Sequence, residues 1–180
     1  LSMFKSNYWV LKKKHTKYYL LAYRNYFSCQ IGSNGIISTQ NKQEGDLSTP
    51  KGKWVLNSIF YREDRIDLKT LVPNCKLGLN KITKNCGWCD DPSSQNYNKY
   101  VKIKKRNNFT YERLWRKDNA YDILINLDYN QNPTIKWKGS AIFIHCSFDN
   151  LRNTEGCIAL LKEDLIYLLK KINNTVFIKI

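Results

Sequence analysis

Long apolar runs are absent from this sequence of 180 residues. The longest, Tyr18 to Tyr23 and Ala141 to His145, are far shorter than the roughly 18 to 20 residues of a transmembrane helix, so we predict no membrane span. Internal repeats and low-complexity segments are also missing, which excludes collagen-like and coiled-coil proteins. The 42% apolar and 13% aromatic residues that are present predict one folded domain over residues 1–180, because domains usually have roughly 100–150 residues.

A secretory signal is also missing, since no apolar stretch of about 7 to 15 residues and no small-residue cleavage site lies between Leu1 and Phe27. We therefore expect a cytoplasmic protein, unless the chain is already processed. Six cysteines are too few for a disulfide scaffold of this length, and we expect them to be reduced. We also expect a monomer.

Acidic residues are scarce, with 15 Asp and Glu against 30 Lys and Arg and a net charge of +15. Such an excess favours an anionic partner. However, the 23 Lys, 20 Asn and 17 Ile are all residues with A/T-rich codons, and the blocks Lys12 to Lys14 and Lys102 to Arg106 resemble solvated faces. We therefore expect no nucleic-acid partner.

Short runs of β-branched and aromatic residues between turn formers predict a mainly β fold, a sandwich or barrel. One helix is predicted late in the chain, because Leu165, Leu168, Leu169 and Ile172 recur at helical spacing, and we expect it to pack on the β structure. The predicted strands are Tyr8 to Leu11, Tyr18 to Arg24, Tyr26 to Ile31, Gly52 to Leu56, Tyr121 to Leu127, Ala141 to Cys146, Cys157 to Leu160 and Thr175 to Ile180.

Three further segments have weaker patterns. Asn34 and Gly35 tolerate the positive φ of a tight turn and predict a hairpin between Cys29–Ile31 and Ile36–Ile37. The segment Tyr111 to Lys117 is compatible with a second helix. We interpret the polar segments 38–48 and 90–98 as long loops.

The sequence contains two histidines, His15 and His145, so few histidine-dependent sites are possible. His15 lies in a Lys-rich segment, whereas His145 ends an apolar strand and Cys157 follows Gly156 twelve residues later. An imidazole can lower the pKa of a thiol and move its proton, and the turn at a glycine can aim backbone N–H groups at an oxyanion. A buried histidine beside a buried cysteine fits the same spacing.

Two motifs favour a reactive histidine–cysteine pair over a buried structural one. They are GSAIFIH at 139–145 and TEGCIAL at 154–160. Together they resemble the signature of YkuD-type L,D-transpeptidase catalytic domains, a histidine followed by Ser/Thr-x-Gly-Cys. Further pieces agree in order with that family or with one branch of it, and the resemblance spans about 18–180. These pieces are EGD at 44–46, TPKGKW at 49–54, GWCDDP at 87–92, YN at 97–98, ERLW at 112–115 and YD at 121–122.

The resemblance implies a mainly β enzyme that attacks the amide after an L-centre in the peptidoglycan tetrapeptide stem and releases D-alanine. By motif position, Cys157 is the nucleophile, His145 the general base, and Gly156 and Cys157 supply N–H groups to the oxyanion, with Thr154 supporting the turn. The acyl group then passes to an amine (transpeptidase) or to water (carboxypeptidase). The missing signal sequence favours an intracellular recycling carboxypeptidase, whereas a processed chain would be periplasmic or in the cell wall. The alternative to an enzyme is a non-enzymatic basic β-domain that binds nucleic acid or an anionic wall polymer.

One departure from the family pattern is Ala159, which stands where the family usually has arginine. We expect another cation or an N–H cluster to hold a substrate carboxylate, and Ala159→Arg to be tolerated structurally.

Thr154 and three side chains of the GWCDDP and YN motifs, Trp88, Asp90 and Tyr97, are candidates for substrate contact. A turn stabilised by Asp90, Asp91 and Pro92 is the alternative for this segment. The Cys86-x-x-Cys89 spacing is compatible with zinc or redox chemistry, but a structural zinc site needs further ligands, and we interpret the pair as loop packing. Cys146 should point away from His145 into the core. We expect no cofactor and no bound metal, and a stem peptide or muropeptide as the substrate.

Overall fold

The computed structural model describes residues 7–148 and 150–180. It confirms the mainly β fold with a short C-terminal helix. The strands are β1 (Tyr8–Lys14), β2 (Lys17–Ala22), β3 (Asn25–Gln30), β4 (Ile36–Ile37), β5 (Thr49–Pro50), β6 (Lys53–Tyr61), β7 (Gly78–Lys81), β8 (Cys86–Cys89), β9 (Tyr100–Lys102), β10 (Tyr111–Arg113), β11 (Ile123–Leu127), β12 (Phe143–Cys146), β13 (Ile158–Leu160) and β14 (Phe177–Lys179), and the helices are α1 (Leu68–Leu71) and α2 (Lys162–Leu169).

Eight of the strands close into a barrel, in the order β11-β12-β13-β3-β2-β1-β14-β6, with β6 pairing back to β11. The long strand β6 makes closure possible, because Lys53–Val55 pairs with β14 while its second half pairs with β11 and β7. These eight strands are the eight that the sequence predicts. A closed barrel satisfies the backbone hydrogen bonds of every member strand without leaving an open edge.

Side chains alternate between two apolar clusters along the strands, as the two-residue period requires. Ile144 and Cys146 of β12 lie in the larger cluster, which fills the barrel. Phe143 of the same strand belongs to a second cluster that also contains Cys157. The prediction that Cys146 points into the core, away from His145, is therefore confirmed.

The second cluster is covered by a small antiparallel sheet, β10-β8-β9. Trp88 of β8 packs edge-to-face on Phe143 of β12, with ring centroids 5.0 Å apart. This aromatic contact fixes the small sheet against the outer face of the barrel, on the side where the candidate site lies.

The helix α2 also packs on the barrel, as predicted. Its buried residues Leu165, Leu168 and Leu169 join the larger cluster. Within the described ranges, no helix has the length and apolar character that crossing a bilayer requires.

Two local predictions are wrong. The segment predicted as a second helix instead contains β10, because Tyr111–Arg113 pairs with β8. Asn34 and Gly35 do form a tight turn, in which the Gly35 N–H donates to the Gly32 carbonyl at 2.8 Å, but no hairpin follows. Ile36–Ile37 pairs in parallel with Thr49–Pro50 instead. Segments 38–48 and 90–98 lack strands and helices, as expected of loops.

Candidate active site

A cavity of about 350 Å³ opens where loop 38–48, the start of β12 and the segment before β13 meet. Cys157 and His145 both line it. Charged side chains of both signs surround them, although the chain as a whole is strongly basic. The charged residues are Lys42, Glu44, Asp90, Glu112, Arg116, Arg152 and Glu155.

The Cys157 thiol is held by the backbone that leads into β12. Its Sγ donates to the Ala141 carbonyl at 3.2 Å, and the Phe143 N–H donates to Sγ at 3.3 Å. Ala141 has a φ of 53°, a left-handed conformation that costs free energy in a residue with a Cβ. The surrounding structure therefore maintains a strained residue at the point that fixes the thiol.

The turn before Cys157 is fixed by two threonines. Thr154 Oγ1 donates to the Cys157 carbonyl at 2.6 Å and accepts the Gly156 N–H at 3.2 Å. Thr49, from the Thr-Pro segment, donates its Oγ1 to the Gly156 carbonyl at 2.9 Å. The Gly156 N–H is thus used within the turn, which leaves the Cys157 N–H as the donor that the turn does not engage. This corrects the expectation that both N–H groups face an oxyanion.

Gly156 is required by this turn. Its φ is 140°, and a Cβ at this position would lie 2.9 Å from the Ser48 carbonyl oxygen and 3.3 Å from Ile142 Cδ1. Any larger residue would push the turn away from loop 38–48.

One hydrogen bond determines the tautomer of the His145 imidazole. Its Nδ1 lies 2.7 Å from the Cys146 carbonyl oxygen, and a carbonyl oxygen can only accept, so Nδ1 carries the hydrogen and Nε2 keeps its lone pair. The rings of Tyr121 and Phe148 pack edge-to-face on the imidazole at 5.3 and 5.7 Å. The basic nitrogen is therefore held in a fixed orientation.

Both groups are neutral in the free protein. Burial lowers the pKa of His145 to about 4, and burial, together with the charges of Glu112 and Glu155, raises the pKa of the Cys157 thiol above its usual range. No hydrogen bond joins the two side chains within the described residues. Burial, rather than the imidazole, therefore sets the direction of the thiol pKa in the free protein.

Asn98 links Trp88 of the GWCDDP motif to the backbone that holds the Cys157 thiol, a role that the sequence did not reveal. Its buried Oδ1 accepts the Trp88 indole N–H at 3.0 Å and the Ala141 N–H at 3.1 Å. Its Nδ2 donates to the carbonyls of Tyr129 and Asn130 at 3.0 and 2.8 Å. Only the presence of YN in the matched motif pointed to this residue.

The predicted substrate contacts have different outcomes. Thr154 lines the cavity, where its hydroxyl also fixes the turn before Cys157. Asp90 lines the cavity, where it accepts a hydrogen bond from Thr110. Trp88 and Tyr97 are only 3% and 1% exposed and lie outside the cavity lining. Their predicted contact with substrate is corrected, because the small sheet and loop 90–98 bury both rings behind the site.

The carboxyl group of Glu112, from the ERLW motif, also faces the cavity, although the sequence did not predict it as a site residue. The Tyr121 hydroxyl donates to it, and Arg116 Nη1 lies 3.8 Å from its Oε1. Burial, and to a lesser extent the charges of Asp90 and Glu155, raises the pKa of Glu112 to about 7. The cavity thus contains a carboxyl group that titrates near neutral pH.

The Cys86-x-x-Cys89 segment is strand β8, not a loop. Residues three apart in a strand point to opposite faces, which does not suit a shared metal or a disulfide. Cys86 Sγ contacts the Tyr100 hydroxyl at 3.2 Å. In the part of the chain that the structure describes, no cluster of His, Cys, Asp or Glu has the arrangement of a metal site.

The fold and the cavity define a mainly β domain with a cysteine–histidine cleft. The family model of the YkuD L,D-transpeptidase catalytic domain matches residues 6–178, and the chain belongs to this family. Its function is of the L,D-transpeptidase type, with a peptidoglycan-related substrate. A search of curated proteins gives no match.

Proposed function

We propose that the protein is a cysteine acyl-transferase that cleaves the L,D peptide bond of peptidoglycan tetrapeptide stems. The observation that supports this most directly is the shared cavity, which is lined by the Cys157 thiol and by His145, whose Nε2 is the free basic nitrogen.

In the first step, Sγ of Cys157 attacks the carbonyl carbon that follows the L-centre. His145 Nε2 takes the thiol proton as the C–S bond forms, because the neutral pair has no thiolate in advance. The negative charge on the carbonyl oxygen is received by the Cys157 N–H. The C–N bond then breaks, the imidazolium returns its proton to the leaving amine, and D-alanine departs.

In the second step, an acceptor attacks the thioester carbonyl and His145 takes the acceptor's proton. The C–S bond breaks, and the sulfur recovers a proton from the imidazolium. An amine acceptor gives a 3→3 cross-link and water gives a tripeptide stem. Both outcomes share the acyl-enzyme and every residue named above.

Product analysis on a disaccharide tetrapeptide, with and without an added acceptor amine, tests this proposal. The wild-type protein should release D-alanine and give a tripeptide, a cross-linked dimer or both. Cys157→Ala should lose turnover by many orders of magnitude, since a covalent nucleophile cannot be replaced by a methyl group.

The matched control is Cys29→Ala, which removes a buried thiol from the barrel interior and should retain turnover. Activity of Cys157→Ala above about a tenth of wild type would overturn the nucleophile assignment.

A further inference from the structure

Three cationic side chains line the cavity, and two of them are already neutralised. Lys42 is 2% exposed, and its Nζ donates to the Asp46 carboxylate at 2.6 Å and to the Gln43 carbonyl at 2.8 Å. This buried ion pair joins two residues of loop 38–48. Lys42 therefore has little charge to offer a ligand.

Arg116 is the second neutralised cation. Its Nε and Nη2 donate to the two oxygens of Asp118 at 2.8 and 2.6 Å, a two-pronged ion pair. Its guanidinium carbon also lies 5.0 Å from the centroid of the Tyr121 ring. Releasing this group to a ligand would leave Asp118 without its partner.

Arg152 differs from both. Its guanidinium carbon lies 4.1 Å from the centroid of the Phe148 ring, and no acidic group pairs with it at salt-bridge distance in the described residues. Its charge contributes little to the lowered pKa of Asp118, because the hydrogen bond and the charge of Arg116 lower that pKa more. Stacking on an aromatic face orients a guanidinium and leaves the N–H donors on its edge available.

The position of Arg152 relates this cation to the reacting groups. Phe148, on which it stacks, packs in turn on the His145 imidazole. The cation is thus separated from the base by one aromatic ring, at the wall of the cavity that contains Cys157.

The cavity also contains the carboxyl groups of Glu44, Asp90, Glu112 and Glu155. A substrate carboxylate entering it meets like charges, and Arg152 is the one cation of the three for which the described residues show no acidic partner. Ala159, two residues after Cys157, supplies no charge and is fully buried.

We propose that Arg152 binds the α-carboxylate of the residue that leaves. This inference rests on the proposed function. In D-alanine a single carbon separates that carboxylate from the leaving nitrogen, so the carboxylate lies next to the reacting groups, in the cavity that Arg152 also lines. The substrate class is then peptides that end one residue after the scissile amide with a free carboxylate, and amidated or extended stems are poor substrates.

The test varies both the charge at the C-terminus of the substrate and the side chain at position 152. Turnover is measured on a tetrapeptide stem ending in D-alanine and on the same stem ending in D-alaninamide. The wild-type protein should prefer the acid by roughly tenfold to hundredfold in kcat/KM, the range expected for a hydrogen bond between charged groups. Arg152→Gln should lose most of this preference, and Arg152→Lys should keep part of it.

Arg106→Gln is the matched control, because it makes the same charge change at an exposed residue outside the cavity lining. It should keep the wild-type preference. Binding of both stems to Cys157→Ala and to the double variant Cys157→Ala/Arg152→Gln, measured by calorimetry, gives the same comparison without turnover.

An unchanged preference for the acid in Arg152→Gln would overturn the anchor while leaving the proposed function intact. Equal binding of acid and amide to Cys157→Ala would overturn it as well. Absence of D-alanine release by the wild-type protein would contradict the proposed function itself, and the anchor with it.

Discussion

Asn98 accepts the backbone N–H of Ala141 at 3.1 Å, and the carbonyl of the same Ala141 accepts the Cys157 thiol at 3.2 Å. Two hydrogen bonds therefore link a buried amide to the candidate nucleophile. Because Ala141 is held in a left-handed conformation, the position of Sγ depends on an anchor that keeps this residue in place.

Replacing Asn98 by Ala should reduce kcat and affect KM less. The change removes four hydrogen bonds and frees Ala141 to relax, and a misplacement of about 1 Å at a reacting group can lower a rate roughly a hundredfold. We expect a fall in kcat of about tenfold to hundredfold. Steady-state kinetics on the tetrapeptide measures it.

Asn130→Ala is the control for this change. Asn130 is another left-handed asparagine, with a φ of 52°, and its side chain holds Ile135 and Gly139 but not Ala141. It should lose stability in urea and keep most of its kcat. An equal loss of kcat in both variants would show a general effect on folding.

Alkylation of Cys157 should be slow near neutral pH and should keep rising with pH. Burial raises the pKa of the thiol above its usual range, and the thiolate is the species that reacts. Iodoacetamide labelling from about pH 6 to pH 10, resolved by peptide mass spectrometry, measures the profile. A plateau near neutral pH that disappears in His145→Gln would show a thiolate–imidazolium pair in the free protein.

The free energy of unfolding should depend on pH through His145. Its pKa falls from 6.5 in the unfolded chain to about 4 in the fold. The unfolded state therefore binds more protons between these values, and stability from this group is lost as pH falls from about 6.5 to about 4, on the order of 3 kcal/mol in all.

Glu112 acts in the opposite direction. Its pKa is raised from 4.5 to about 7, so its contribution is lost as pH rises through this window, and the wild-type profile is a sum of the two. Comparing urea unfolding of wild type and His145→Gln at about pH 7.5 and about pH 4.5 isolates the histidine. An identical pH dependence of both proteins would contradict the buried neutral imidazole.

Ala159→Arg should destabilise the protein, contrary to the expectation from the sequence. Ala159 is fully buried and lies in register between His145 and Gln30. Placing a guanidinium there adds overpacking of about 1 to 3 kcal/mol and the cost of burying a charge. Urea unfolding should show a lower free energy of unfolding, with Ala159→Ser as the small-residue control. Near-wild-type stability of Ala159→Arg would contradict the tight packing around Ala159.

Carbapenems should form one covalent adduct per chain. A strained β-lactam carbonyl is open to attack by Cys157, with the Cys157 N–H receiving the oxyanion. Intact-mass spectrometry followed by digestion should map the adduct to the peptide around Cys157, and Cys157→Ala should show none. An adduct at Cys86 or Cys89 would move the reactive centre to β8.

The sequence predicted the strands of the barrel because each combines several apolar or aromatic residues with turn formers at its ends. The strands that it missed are short and lie outside the barrel, such as Gly78–Lys81 and Tyr111–Arg113. In these, pairing with a neighbour rather than composition determines the conformation. The segment Tyr111 to Lys117 therefore looked helical until its partner strand was known.

Within the site, motif order was enough to single out Cys157 and His145, which the structure places at one cavity. It could not reveal the protonation of the pair, because burial by residues distant in sequence sets both pKa values. The stacking of Arg152 on Phe148 and the hydrogen bonds of Asn98 likewise depend on three-dimensional contacts, and neither residue stands out in composition or spacing.

The place of β14 in the barrel has a consequence for synthesis of the chain. This last strand lies between β1 and β6, pairing in parallel with the first and antiparallel with the second. On the ribosome, the barrel cannot close until residues 177–179 have emerged, and until then two strand edges stay open to other chains. Chaperone capture during translation is therefore expected to end once β14 has left the exit tunnel, which ribosome-bound chains arrested after a short or a long added C-terminal linker can show.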